Sequence, residues 1–166
     1  NGWTSGVSVA GGFNDHAYLY LENAFGTDAN QFGGTHTTTN IRLGTGTGTN
    51  GNNGTRFAMC FADVRGYQKI GSFIGNGNTD GPVIFTGFKK SSGTGDWEIL
   101  DNKRLGYNGR NETLGANYTA AEGNYNRIDI LSNGFKVRST SGNVNTSGGT
   151  YIYLAIAENP FVTSTG

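Results

Sequence analysis

Three aspartates in the second half of the chain, Asp96, Asp101 and Asp129, carry carboxyl groups that could serve in acid–base catalysis. A glycan hydrolase uses two carboxyl groups on either side of the scissile bond, and folding could bring two of these aspartates together. An enzyme requires a convergent set of acids, bases or nucleophiles, and nothing in the spacing of the three aspartates demands one. The sequence therefore predicts a protein that is not an enzyme, with a glycan hydrolase as the least favoured alternative.

Metal-ligand chemistry is conceivable at two places. His16 and His36 lie in polar, Gly- and Thr-rich surroundings without a second His or Cys at metal-ligand spacing, so both are predicted to lie in surface loops. Asn76, Asn78 and Asp80 alternate in a Gly-rich loop and could supply oxygen ligands to Ca²⁺. That loop lacks the terminal bidentate Glu of an EF-hand, so a hydrogen-bonded turn is favoured over this weak calcium site. We expect no metal centre and no cofactor.

Three tyrosines in Gly- and Asn-rich loops, Tyr107, Tyr118 and Tyr125, are the best candidates for binding carbohydrate. An aromatic ring matches the apolar face of a pyranose, and exposed loop tyrosines are free to meet one. The alternative is that these rings anchor their loops onto the sheet.

Composition narrows the possible partners. Charged residues make up 14% of the chain and the net charge is zero, so no basic face is available for nucleic acid or acidic membranes. No run reaches the roughly 18 apolar residues that span a bilayer, which argues against membrane insertion. The chain begins at Asn1 without a signal-peptide pattern, so we expect a processed product or a piece of a longer protein.

The fold class follows from the same composition. Glycine alone supplies 29 residues, and Gly, Asn and Thr together make up about 40% of the chain, far above average usage. Large aromatic residues separated by such turn-forming stretches predict an all-β protein of short strands joined by many turns. The single cysteine, Cys60, excludes an intramolecular disulfide and is expected to be a small buried apolar residue.

The chain contains one pattern twice. A short strand, a polar loop, a Gly-Thr pair and a long apolar run occur first over residues 40–63 and again over residues 134–158, about 95 residues later. Upstream, Gly2-Trp3 precedes Asp96-Trp97 by nearly the same offset. The sequence therefore predicts two related units, with residues 1–65 as a partial first unit and residues 66–166 as a complete second unit.

The apolar runs indicate where the strands and the core should be. Residues 151–157 are apolar on both faces, so we expect a central strand covered on both sides, with residues 56–62 as its counterpart. Five side chains on these two strands are expected to be largely buried, namely Tyr151, Tyr153, Ile156, Phe57 and Phe61.

Further strands are predicted by alternation and turn residues. Residues 70–74 and 83–88 flank a loop rich in turn formers and are expected to pair as a hairpin. Residues 97–100 form another short strand. Residues 127–131 alternate polar and apolar side chains, and a Ser-Asn-Gly turn joins them to a strand over residues 135–138.

Several motifs resemble the C-terminal repeats of tail or fibre proteins from aquatic bacteriophages, which often follow a concanavalin-like lectin domain. The resemblance is dense over residues 66–161 and weaker over residues 1–65. The motifs that carry it include Gly66-Tyr67-Gln68-Lys69-Ile70-Gly71-Ser72-Phe73, Thr94-Gly95-Asp96-Trp97, Asp129-Ile130-Leu131-Ser132-Asn133-Gly134-Phe135-Lys136, Gly149-Thr150-Tyr151-Ile152-Tyr153 and Ala157-Glu158-Asn159-Pro160-Phe161. These motifs are structural, and no catalytic residue is among them. Because residues 89–93 stand where the family usually has a further apolar strand, the sheet is expected to be one strand short.

The resemblance and the composition together imply a jelly-roll-like β-sandwich with a structural role. The expected function is that of a subunit of an extracellular fibre or phage tail appendage, located on a virion or outside the cell, with contact to host-surface glycans as an added role. A monomeric lectin-like carbohydrate-binding module is the alternative. The expected partners of a fibre subunit are copies of itself and a host-surface glycan, and neither nucleic acid nor a membrane.

The first unit is predicted to be incomplete. The hairpin that opens the second unit about 30 residues before Trp97 has no counterpart before Trp3. A strand that lacks neighbours exposes unpaired backbone groups. Either upstream sequence or a strand from a neighbouring copy must cover it, and the latter predicts an interface of more than roughly 1,000 Å² between copies.

Overall fold

The computed structural model describes residues 4–6, 15–18, 24, 26–27, 30–32, 37, 39–84, 88–104, 108–109, 112–132 and 134–158. This part of the chain is mostly β-strand in antiparallel sheets with two one-turn helices, so the all-β class is confirmed. The jelly-roll-like sandwich and the division into two units stay predictions. Within the described residues, no helix has both the length and the apolar character needed to cross a membrane.

Twelve strands and two short helices are present in the described residues. In chain order they are β1 (Thr4–Gly6), β2 (Asp15–Tyr18), β3 (Gly26–Thr27), α1 (Thr47–Asn50), β4 (Gln68–Ile74), β5 (Val83–Ile84), β6 (Phe88–Lys90), β7 (Trp97–Ile99), β8 (Glu112–Gly115), β9 (Gly123–Asn124), β10 (Ile128–Leu131), β11 (Gly134–Val137), α2 (Gly142–Asn145) and β12 (Thr150–Ile156). Strands β1, β2 and β3 form a small antiparallel sheet of their own.

The largest sheet has six strands in the order β4-β12-β6-β7-β8-β9. Strand β12 pairs along its whole length with β4, from Thr150 opposite Ile74 to Ile156 opposite Gln68, and its other edge pairs with β6. The prediction of a central strand over residues 151–157 is therefore confirmed. Tyr151 is fully buried and its ring stacks on that of Phe73 in β4, with 5.0 Å between the ring centroids.

A three-stranded sheet, β10-β11-β5, shares the hydrophobic core with the six-stranded sheet. The core cluster contains buried side chains from β10, β11, α2 and the residue after β7, and partly buried side chains of β4, β10 and β12 pack against it. Its members are Leu100, Ile128, Phe135, Val137 and Val144, packed against by Phe73, Ile130 and Tyr153. The predicted hairpin over residues 127–138 is confirmed as the β10–β11 pair.

Two predictions about strand pairing are wrong. Strands β4 and β5 do not form a hairpin with each other, because β4 pairs with β12 while β5 pairs with β11 in the other sheet. The sheet is also not short of a strand at residues 89–93, because β6 occupies that place between β12 and β7. Lys89 in β6 is fully buried, with Nζ donating to the carbonyl of Lys90 at 2.9 Å. This hydrogen bond satisfies one of the three donors of the buried ammonium group, at a place where the family resemblance had suggested an apolar strand.

Residues 54–63 contradict the prediction of a second central strand. They belong to none of the described helices or strands, and every one of them is exposed. Phe57 is 73% exposed and Phe61 49%, and Cys60 is exposed rather than buried. Ile156 in β12 is also 48% exposed, so its predicted burial is wrong as well. Apolar character alone did not bury the side chains of residues 54–63, since none of the described sheets includes this segment.

Candidate functional site

Two of the three predicted carbohydrate-binding tyrosines lie at one site. Tyr118 and Tyr125 line an open depression of ≈ 430 Å³ together with Asp96, Arg127 and Asn143. Asp96 precedes β7, Tyr118 follows β8, and Asn143 lies in α2. Tyr125 and Arg127 share the loop between β9 and β10, so four chain segments converge here. Tyr107 lies outside the described residues.

Asp96 is held in place by two asparagine side chains. Its Oδ1 accepts a hydrogen bond from Asn117 Nδ2 at 2.9 Å, and its Oδ2 accepts one from Asn143 Nδ2 at 2.8 Å. Asn117 is itself fixed, because its Oδ1 accepts the backbone N–H of Trp97 at 2.9 Å. Each carboxylate oxygen keeps a further lone pair. Asp96 is therefore a pre-oriented acceptor on the wall of the depression.

Glu98 lies behind this wall and is 2% exposed. Its Oε1 accepts a hydrogen bond from Asn143 Nδ2 at 2.9 Å and lies 3.5 Å from an Nη atom of Arg127. Within the described residues, Glu98 Oε2 and Arg127 Nε are buried without a hydrogen-bond partner. Burial raises the pKa of Glu98, and the nearby charge of Asp96 raises it further, against the lowering effect of Asn143 and Arg127. Glu98 thus holds Asn143 by a hydrogen bond and Arg127 by an ion pair, from the buried side of the depression.

Glycines allow the two tyrosine rings to lie close to the sheet. A Cβ atom at Gly115, the last residue of β8, would overlap the ring of Tyr118. A Cβ atom at Gly123, the first residue of β9, would overlap the ring of Tyr125. Any larger residue at either glycine would push its tyrosine away. The glycines that read in the sequence as turn formers therefore also position the two rings.

Arg127 connects the buried and the exposed parts of the site. Its guanidinium carbon lies 4.5 Å from the ring centroid of Tyr125, a cation–π contact, while its Nη faces Glu98. Arg127 is mostly buried, whereas Tyr125 stays 47% exposed. The ring of Tyr125 is therefore fixed on one side and still presents surface to solvent.

The helix that carries Asn143 is anchored by the central strand. Tyr151 in β12 donates its hydroxyl hydrogen to the carbonyl of Gly142 at 2.8 Å and accepts the backbone N–H of Thr146 at 2.8 Å. Helix α2 is only one turn long, and a helix of this length is not stable by itself. Burial of Val144 and these two bonds to Tyr151 keep Asn143 pointed at Asp96.

The hydroxyl of Tyr118 is kept in its neutral form. Burial raises the pKa of Tyr118, and the carboxylates of Glu98 and Asp96 raise it further. A neutral hydroxyl both donates and accepts a hydrogen bond. The depression thus combines aromatic surface, a fixed carboxylate, an amide and a hydroxyl, which is the chemistry that recognises the hydroxyl groups and apolar faces of a sugar.

The other predicted site residues lie elsewhere. Asp101 binds Arg104, with Oδ2 2.7 Å from Nε, and Asp129 binds Arg138, so each has a cationic partner of its own. The residue that neighbours Asp96 in the structure is Glu98, which the sequence did not single out. Both carboxylates bind the same Asn143 nitrogen, but Glu98 is buried and is not among the described residues that line the depression.

The loop over residues 76–80 forms the hydrogen-bonded turn that was favoured there. Asn76 Oδ1 accepts the backbone N–H of Asn78, and Asn78 Oδ1 accepts that of Asp80, both at 3.0 Å. The buried Asn145 of α2 also donates to Asn76 Oδ1 at 2.9 Å. Two of the three oxygens proposed for Ca²⁺ are engaged in this turn, and the weak calcium site stays a prediction. His36 lies outside the described residues. The backbone of His16 lies in β2, so the prediction of a loop is wrong for His16.

Sequence reasoning missed Glu98, Arg127 and Asn143. The alternation of Arg127 with Ile128 is a signal that could have found Arg127, because it puts the arginine on the face opposite a core residue. Glu98 gives no comparable signal, since a charged residue between Trp97 and Ile99 reads as solvent-facing. Asn143 is one of many polar residues in its loop, and only the fold brings it to Asp96.

Residues 5–160 match the model of one protein family, described as a domain of unknown function (DUF7483). The match runs across the predicted boundary between residues 1–65 and residues 66–166. No curated protein matches the chain, and no solved structure matches it. Because the family match covers most of its length, the chain belongs to the DUF7483 family.

Proposed function

We propose that this protein is a non-enzymatic structural subunit of an extracellular fibre or phage tail appendage, and that it contacts a glycan through the depression around Asp96. The observation that carries the glycan contact is the convergence of Tyr118 and Tyr125 with the fixed carboxylate of Asp96 and the amide of Asn143. The all-β architecture and the resemblance to phage fibre repeats support the structural role.

The site favours a neutral sugar over an anionic one. Asp96 brings one negative charge, while Arg127 brings a positive charge that lies against the buried Glu98. A phosphate or a sulfated sugar would meet the Asp96 carboxylate at the wall, and like charges repel. The hydroxyls of a neutral sugar can instead donate to the Asp96 oxygens while its apolar face lies on a tyrosine ring. A neutral glycan is therefore the proposed ligand class.

A glycan array followed by titration calorimetry on the best hit tests this contact. Replacing Tyr118 or Tyr125 by Ala, or Asp96 by Asn, should weaken binding by at least about tenfold, because each removes a contact of roughly 1.4 kcal/mol or more. Tyr67→Ala is a matched control, since Tyr67 is 40% exposed in the turn before β4 and is not among the residues that line the depression. An array without a hit for the native protein would remove the glycan contact and leave the structural role alone.

A monomeric lectin-like module is the second candidate, and the same site supports it. Sedimentation of purified protein separates the two functions, because a fibre subunit should associate in a concentration-dependent manner while a lectin-like module should stay monomeric. Turnover of a polysaccharide that Asp96→Asn abolishes would overturn both in favour of a glycan hydrolase.

A further inference from the structure

We propose that residues 57–61 of one copy of the chain add as an antiparallel strand to the outer edge of β4 in a second copy. This inference rests on the proposed structural role and names the surface through which copies would join. It involves neither the depression around Asp96 nor a glycan.

The outer edge of β4 is open at Ser72 and Ile74. The hydrogen bonds from Gly75 N to Gly149 O and from Ala157 N to Tyr67 O show that the odd-numbered residues of β4 bond to β12. By the alternation of an antiparallel pair, the backbone groups of Ser72 and Ile74 point away from β12. In the described part of the chain, β4 is the last strand of the sheet, and its outer edge is paired only at Gln68. Open edges of this kind recruit further strands.

The chain forms the first rung of a hairpin along this edge, and the pairing ends after that rung. Val64 and Gln68 exchange backbone hydrogen bonds at 2.8 Å, across a turn in which Gly66 has a φ of 72°. The next rung would need the N–H of Ile70 to bond the carbonyl of Ala62. Asp63 Oδ1 accepts the Ile70 N–H at 2.8 Å instead, and Gln68 Nε2 donates to the Ala62 carbonyl at 2.6 Å. These two side chains take the groups that continued pairing within one copy requires.

Residues 54–62, which precede this turn, share the sequence pattern of β12, the strand that pairs with the other edge of β4. Residues 54–62 repeat residues 149–157, and the latter contain β12, which pairs with β4 along its other edge. The repeat aligns Phe57, Met59 and Phe61 with Ile152, Leu154 and Ile156. The first set is exposed, with Met59 58% accessible. A second copy of this chain is therefore the partner whose edge already suits this pattern.

Register explains why the strand comes from another copy. Strand β12 directs Ile152, Leu154 and Ile156 to the same sheet face as Ser72 and Ile74, because directly paired residues share a face. The Val64–Gln68 turn would place Ala58, Cys60 and Ala62 on that face, since a shift of one residue reverses every side chain. A strand from a second copy is not bound by this turn.

In the proposed register Met59 lies opposite Ser72, and Phe57 lies opposite Ile74. Phe57 then lies beside Ile74, which is 66% exposed in the single chain, and Phe61 lies opposite Ile70 on the same face. A head-to-tail contact of this kind builds a filament unless the rotation closes it into a ring.

Disulfide trapping between two single-cysteine chains tests the pairing, because Cys60 is the only native cysteine. One chain carries Met59→Cys and Cys60→Ser, and the other carries Ser72→Cys and Cys60→Ser. Directly opposite residues of a hydrogen-bonded pair have Cα atoms about 5.5 Å apart, which a disulfide can bridge. Mild oxidation of the mixture in glycan-free buffer should give a covalent heterodimer, measured by non-reducing electrophoresis and mass spectrometry.

The native chain with Cys60 is the matched control for register. Mixed with the Ser72→Cys, Cys60→Ser chain, it should form heterodimer at least about tenfold more slowly, because it reports the pairing shifted by one residue. Equal rates for both mixtures, faster trapping through Cys60, or no heterodimer in either mixture would overturn the proposal.

Sedimentation provides a second measurement that needs no cysteine variant. The native protein should associate with rising concentration, and Phe61→Asp should reduce the association constant by at least about tenfold, since a charge would be buried at the joint. Leu43→Asp should leave it unchanged, because Leu43 is 50% exposed, as Phe61 is, and lies outside the pairing segment. An equal effect of the two variants would contradict the proposal. Glycan binding by an unassociated protein would leave the site around Asp96 standing.

Discussion

Residues 54–62 and the β12 region share one sequence pattern, but only the β12 region forms a strand within a sheet. Strand β12 lies between β4 and β6, and Tyr151 within it is fully buried. Residues 54–62 lie outside every described strand and are exposed along their whole length. The difference lies in the neighbours, because β12 has a strand on each edge while the earlier segment leaves β4 after a single bridge at Val64.

The comparison shows that an apolar, strand-like sequence is necessary for a central strand and not sufficient. Sheet stability comes from pairs of side chains across strands and from burial on a face, and both need partner strands. The first copy of the pattern lacks such partners in the described part of the chain. Three predictions test how far this difference extends, beginning with the largest expected effect.

Tyr151→Ala should strongly destabilise the protein, while Phe57→Ala should not. Loss of the buried ring stacked on Phe73 leaves a cavity that should lower the free energy of unfolding by about 3–5 kcal/mol. Phe57 is exposed, so its truncation should stay within about 0.5 kcal/mol. Urea unfolding at low protein concentration measures both values, and similar losses for the two variants would erase the contrast between the segments.

Two carboxyl groups, Asp63 next to residues 54–62 and Glu98 in β7, should respond to pH in opposite directions. Hydrogen bonding from Lys69 lowers the pKa of Asp63, so the stability that Asp63 contributes is lost as pH falls through its folded pKa. Burial raises the pKa of Glu98, so its contribution is fully present at low pH and is lost as pH rises through its folded pKa. The difference in unfolding free energy between the native protein and Glu98→Gln isolates this second effect.

That difference should move against the native protein over the pH range above about 4.3, the ordinary pKa of a glutamate side chain, because the amide side chain of the Glu98→Gln variant cannot ionise. Unfolding curves in urea at several pH values measure it. The matched control is Glu112→Gln, which changes a partly exposed carboxylate in β8. A native-minus-variant difference that is constant over this range would show that Glu98 ionises as easily in the folded protein as in the unfolded chain.

The smallest effects are expected where the two segments are alike. Ile156 and its counterpart Phe61 are 48% and 49% exposed, so Ile156→Ala and Phe61→Ala should each cost less than about 1 kcal/mol of unfolding free energy. Thermal unfolding at high dilution is the measurement. A loss above about 2 kcal/mol for either would mean that a surface exposed in the single chain is covered in solution.

Local pattern predicted those elements whose partners lie nearby in the sequence or whose pattern is unambiguous. The β10–β11 hairpin followed from alternation and a Ser-Asn-Gly turn, and the central position of β12 followed from its apolar faces. The pairing of β4 with β12 instead of β5 was not predictable, since it joins segments about 80 residues apart and no local signal encodes such a choice. The strand at Lys89 was not predicted for a related reason. The contacts of the buried lysine, among them its hydrogen bond to the carbonyl of Lys90, are visible only in the fold.

Some residues of the site were also predictable from the sequence, and others only from the fold. Residue type and a loop setting identified Tyr118 and Tyr125, because an exposed aromatic side chain among glycines is unusual enough to mark a surface. The pairing of Arg127 with Glu98 and the arrival of Asn143 at Asp96 depend on α2, which Tyr151 holds from the middle of the sheet.

The sequence by itself determined the all-β class, the zero net charge and the repeated strand pattern, because composition and period act locally. Tertiary structure alone decided which copy of that pattern became a strand. Burial and hydrogen bonding depend on what stands on either side of a segment, and β12 has β4 and β6 beside it. For residues 54–62, the side chains of Asp63 and Gln68 take the hydrogen bonds that would have continued the pairing.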